Sequence, residues 1–270
     1  MNIIYIPGKP VNKLAPGTYM FPFSFKINCH SLPSFVGKSG HIKYSVKLEI
    51  NRMTEKDIRF KETFFVTRPI SEEYINNNEL TTLKAGSIAK NHFTQNGLVE
   101  IEITPCQKIF EPGQKTEVQI IVKNHCSIDI DQLSVELFQH SHYHARALAA
   151  PCTNTFTNKS CPATMDYRKN KQALIGNRQK INFHVAKWSQ GVCRAYVDVP
   201  QKTTPTFQSC LITVAYYLRV KVYTKGVMQL PVHFNMDVIV GKMDEVEQIE
   251  EPMCAEASCP SACSQQETVY

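Results

Sequence analysis

Apolar and polar positions alternate with a period of two along most of the chain, and no convincing helical period appears. Tyr19, Phe21, Phe23, Phe25 and Ile27 form one such series, and Ile42, Tyr44, Val46, Leu48 and Ile50 a second. Val99, Ile101 and Ile103, then Leu133, Val135 and Leu137, then Ile181, Phe183 and Val185 follow the same rule. The clearest series runs from Leu211 to Tyr223, with Ile212, Val214, Tyr216, Leu218, Val220 and Val222 on one face and Thr213, Arg219 and Lys221 on the other. Val232, Phe234, Met236, Val238 and Val240 predict a last strand. An apolar face backed by a polar one is the pattern of antiparallel sheets with one solvated face. About ten such segments between Gly, Pro and Asn punctuation predict an all-β fold built of sandwiches.

Three stretches break the alternation. Residues 76–97 are polar and aperiodic and are expected to connect two domains. Ala149 to Asn170 carries Pro151, Pro162 and two cysteines, and is expected to be a mobile, function-bearing loop. Residues 243–270 are expected to form a disordered acidic tail.

Charge sharpens that division. The 270-residue chain has a net charge of +6, yet Met243 to Tyr270 holds seven acidic residues and no Lys or Arg. The preceding 242 residues therefore carry 30 basic and 17 acidic side chains, a net of +13. A basic body suits acidic partners such as phospholipid headgroups or phosphorylated segments. At 43% apolar and 20% charged, the composition is that of a globular protein, and no run approaches the ~18 apolar residues of a membrane-spanning helix. The short patch Ile3 to Ile6, broken by Pro7 and Gly8, does not read as a secretory signal, so a cytoplasmic location is expected. In that compartment the ten cysteines are read as free thiols.

The residues between Leu14 and Ile50 carry a resemblance. Pro16-Gly17 precedes Phe21-Pro22-Phe23-Ser24-Phe25, then Ser34-Phe35-Val36-Gly37, then Gly40-His41-Ile42-Lys43-Tyr44-Ser45-Val46. Further on stand Phe110-Glu111-Pro112-Gly113, Thr204-Pro205-Thr206-Phe207 and the strand Cys210 to Leu218. This order resembles the arrestin family, and within it the arrestin-domain-containing proteins (α-arrestins). The resemblance implies two immunoglobulin-like β-sandwich lobes: a partial N-lobe over 1–75, the connector over 76–97 and a C-lobe over 98–242. The first lobe is expected to be incomplete. Roughly 90 further residues would precede the FPFxF segment in a whole lobe of ordinary domain size, so exposed apolar faces and unpaired edges are expected. The aromatics of FPFxF are expected to fill a sandwich interior.

Candidate chemistry is sparse. No GxSxG, Walker, GxGxxG or HExxH motif occurs, so no enzymatic activity and no catalytic residue is expected. Zinc-finger and RNP motifs are also lacking, and nucleic acid is not an expected partner. His140, His142 and His144 share one face of a strand, ~6.6 Å apart. No Asp, Glu or Cys near them in sequence completes a metal set, and no metal or cofactor is expected. Cys254, Cys259 and Cys263 miss zinc-ligand spacing, and Thr268-Val269-Tyr270 only loosely fits a PDZ ligand.

What the resemblance implies about function is a non-catalytic adaptor in protein transport and endocytosis. It would bind cytoplasmic tails of membrane proteins and meet trafficking or ubiquitin-ligase proteins, with recruitment to plasma membrane or endosomes. A Pro-Pro-x-Tyr ligase-docking segment is missing from residues 243–270, whose prolines, Pro252 and Pro260, stand alone. A retromer-like structural coat subunit and a truncated inert isoform are the alternatives.

Overall fold

A computed structural model describes residues 18, 20, 22–28, 30–50, 56–77, 84–90 (backbone only), 96–225 and 231–243. The chain divides into two compact units, residues 1–31 and 32–270. In the first, none of the described residues lies in a strand. The FPFxF segment is therefore not the interior strand its alternation predicts. Phe23 and Phe25 stack on each other with centroids 6.2 Å apart and are 58% and 52% exposed. Alternation supplies an apolar face, but a strand also needs a neighbour to take up its N–H and C=O groups.

The second unit contains a β-sandwich. One sheet has the order β10 (Arg168–Val185), β9 (Ile130–His144), β12 (Ile212–Thr224), β13 (Val232–Val240) and β7 (Ile109–Phe110). The facing sheet runs β11 (Ser189–Asp198), β8 (Lys115–His125), β6 (Asn96–Pro105) and β5 (Lys84–Lys90). All neighbours are antiparallel except β13 and β7. The predicted apolar series meet in one core. Val99, Ile101, Ile103, Val118, Ile120 and Val122 from one sheet pack with Leu133, Val135, Leu137, Val214, Tyr216, Leu218 and Val220 from the other. Tyr216 keeps its hydroxyl inside by donating to Thr204 O at 2.5 Å and accepting from Gln139 Nε2 at 2.8 Å.

Two strands lie where alternation is weak. β5 falls within 76–97, the stretch read as a connector, and pairs with β6 from Lys84↔Glu102 to Lys90↔Asn96. β10 starts at Arg168, inside the stretch read as a loop, and runs the length of β9. β10 and β11 are the terminal strands of their sheets on one side of the sandwich, joined by a corner at Ala186, Lys187 and Trp188. Trp188 has φ 59° and is 68% exposed. Buried Asn124, at the end of β8, ties this corner down. Its amide donates to Ile128 O at 2.9 Å and Ala186 O at 3.1 Å, and its carbonyl accepts from Cys126 N at 3.0 Å.

Residues 32–77 lean on the same core. β1 (Phe35–Val36) and β2 (His41–Ile42) form a short pair, and β3 (Tyr44–Ile50) and β4 (Ile58–Phe64) a separate ribbon with Leu48 and Phe60 exposed. The Ser-Phe-x-Gly motif is the joint. Ser34 exchanges bonds with Val66, and buried Phe35 packs between Tyr143 and Phe207 at 6.3 and 6.1 Å. Gly37 lies flush against Tyr143, since a Cβ there would stand 2.1 Å from the phenol oxygen. That close approach is the reason for glycine. α1 (Glu72–Asn77) follows, and Ile70 and Ile75 pack with Ile109 and Ile239.

Candidate functional site

Two features of the sandwich carry chemistry. The first is the edge strand β10. Its 18 residues include Arg168, Lys169, Lys171, Arg178 and Lys180 and no acidic residue. Its register places Lys169 and Lys171 opposite Tyr143 and Ser141, and Arg168 and Lys180 opposite His144 and Ser134 on the other face. The free side of an edge strand offers unpaired backbone groups, and here cations flank them. Between Ala173 and the joint lies a cleft of about 230 Å³, lined by Lys38, Lys171, Gln139, Ser141 and Tyr143. The Tyr143 hydroxyl is buried without a hydrogen-bond partner. Not every cation on the edge is free. The Arg178 guanidinium pairs with Glu136, whose buried carboxylate also takes Lys221 at 3.0 Å.

The second feature lies on the outer face of the same sheet. Alternation predicts a solvated face for β9 and β12, but residues 145–167 lie across it. Phe156 stacks on Tyr217 at 3.9 Å, and Thr155 Oγ1 donates to Asp237 at 2.5 Å. Thr213 Oγ1 donates to Cys152 O at 2.9 Å. Cys152 and Asn154 are buried, so this part of the stretch is anchored and not the mobile loop that its composition suggests.

Under this cover the three histidines separate into two roles. His140 Nε2 meets Asn154 Oδ1 at 2.9 Å, an ordinary buried pairing. His142 and His144 turn to the loop cysteines, with both Nε2 atoms 3.3 Å from Cys161 Sγ. One ligand atom from each of His142, His144, Cys152 and Cys161 falls within 4.8 Å of all the others. The histidines thus have the sulfur partners that sequence reading denied them. Cys152 and Cys161 lie eight and seventeen residues beyond His144, and only the loop's return over the sheet brings them in. Burial holds both imidazoles below their ordinary pKa, with Arg168 acting in the same direction, and raises the Cys152 thiol. Cys254, Cys259, Cys263 and the terminal tripeptide lie outside the described residues.

The C-terminal domain of arrestin (or S-antigen) matches residues 95–245, over half of the chain. The arrestin N-terminal domain matches residues 6–73. The chain belongs to the arrestin family. Its sandwich is thus an arrestin C-domain, and the FPFxF, SFxG and GxIxYxV segments fall in the arrestin N-domain region. Both domains of this β-sandwich family are represented. Arrestin domains bind partner proteins in general, and the family's members are in general non-catalytic adaptors.

Proposed function

We propose that this arrestin-family chain is an α-arrestin-type adaptor. It binds acidic or phosphorylated cytoplasmic tails of membrane proteins and brings them to trafficking and ubiquitin-ligase proteins for endocytosis. It works without catalysis, in the cytoplasm, and is recruited to plasma membrane or endosomes with its cargo. The observation that supports this reading is edge strand β10, with five cations and no acid beside the Lys38–Lys171 cleft. An extended peptide can add to such an edge through its backbone while its carboxylates or phosphates meet the flanking cations.

The expected behaviour is weak, salt-sensitive binding. Fluorescence anisotropy with a labelled phosphorylated tail peptide should show affinity falling steeply between about 0.1 M and 1 M salt, as the screening length drops from about 10 to 3 Å. Reversing Lys169 and Lys171 to Glu should weaken it about tenfold, or 1.4 kcal/mol. Equal affinity at both salt concentrations would sink the electrostatic part. Stable, stoichiometric coat partners on purification from native cells would instead favour a structural coat subunit.

A further inference from the structure

We infer that His142, His144, Cys152 and Cys161 form a structural zinc site that fastens residues 145–167 to the outer face of the C-domain sheet. The inference does not rest on the adaptor reading. Zinc takes two thiolates and two imidazoles in a tetrahedron with Zn–S of about 2.3 Å and Zn–N of about 2.0–2.1 Å, which sets ligand atoms about 3.3–3.8 Å apart. The two Nε2–Cys161 Sγ distances, 3.3 Å each, already lie at that spacing. The longest separation in the set, within 4.8 Å, needs closure by about an ångström, within the reach of side-chain rotation.

The surroundings fit a metal better than a group of four neutral side chains. His142 Nδ1 is bonded to Asn170 Oδ1, which makes Nδ1 the protonated nitrogen and leaves the Nε2 lone pair aimed at sulfur. His142 is fully buried, and His144 and Cys152 are nearly so. The backbone holds the donors before any ion arrives. His144 N donates to Leu211 O at 2.9 Å and Cys152 N to Ser209 O at 3.2 Å. The charges balance, because two thiolates offset one divalent cation and two protons leave on binding. Four protein ligands leave no open position, which is the arrangement of a structural site.

The full chain, purified under reducing conditions, should carry one equivalent of zinc by elemental analysis. After chelation, cobalt(II) should bind with the visible bands and thiolate charge-transfer absorption of a tetrahedral thiolate–imidazole set. That spectrum needs no variant, so it holds even if ligand substitutions unfold the chain. Cys152→Ser and Cys161→Ser should each abolish stoichiometric binding, and Asn170→Ala should weaken it about 10–100-fold. His140→Ala, which removes the histidine bonded to Asn154, should keep the metal. Chelation should also speed hydrogen exchange across 149–161. A chain that takes up neither zinc nor cobalt, one that binds them equally without both cysteines, or a Cys152–Cys161 disulfide that persists under reduction would overturn the assignment.

Discussion

Single side chains decide how residues 32–77 hold to the sandwich. Phe35 is 2% exposed between Tyr143 and Phe207, whereas its neighbour Val36 is 71% exposed. Phe35→Ala should therefore cost about 3–5 kcal/mol by urea unfolding, and Val36→Ala less than about 0.5 kcal/mol. Equal effects would mean that the joint is not where the two parts meet. This motif was legible in sequence as a landmark but not as a contact. Nothing in Ser-Phe-x-Gly says that its aromatic ring enters a core built mainly of strands a hundred residues away.

At the scale of elements, legibility followed the strength of alternation. β6, β12 and β13 bury one face along most of their length, so their apolar residues recur there at every second position. β5 and most of β10 are edge segments. Apart from Leu174 and Ile175, Arg168 to Lys180 is a run of cations, amides and small residues, mostly exposed on both faces, and period two is lost there. The stretch from Ala149 to Asn170 is irregular only as far as Thr164, since Arg168 already opens β10. Its middle is fastened to the sheet and not loose. Its anchors are single polar atoms and one aromatic ring, which leave no periodic trace. Asp237 is the clearest of these anchors, accepting from Thr155 Oγ1 and from the backbone N–H and hydroxyl of Thr157. Asp237→Ala should cost about 1–3 kcal/mol and free the loop. Hydrogen exchange across 153–158 should quicken while the centres of β9 and β12 stay protected. Uniform quickening would show the loop and sheet to be one cooperative unit.

The whole molecule should respond to alkaline pH with a definite sign. Burial pushes the Cys193 thiol up to about 11 and the Tyr74 phenol up to about 12, and raises Tyr216 as well. In the unfolded chain these groups lose protons near about 8.5 and 10. The folded state then binds more protons than the unfolded one, so stability is fully present below about pH 8.5 and declines as pH climbs toward the folded values. Urea midpoints should stay level near neutrality and fall from pH 9 upward, and Cys193→Ala should delay the fall. A midpoint that rises over that range would contradict the assignment of these groups as desolvated and neutral.

The corner that joins the two edge strands has a practical consequence as well. The chain has one tryptophan, and it is the exposed Trp188 of that corner. Intrinsic fluorescence therefore reports on one place only, at the turn between β10 and β11. A partner that covers the corner should shift this indole's emission to the blue and shield it from quenchers, while one that docks elsewhere leaves the signal unchanged. The unlabelled protein can thus report where along its own rim a ligand has landed.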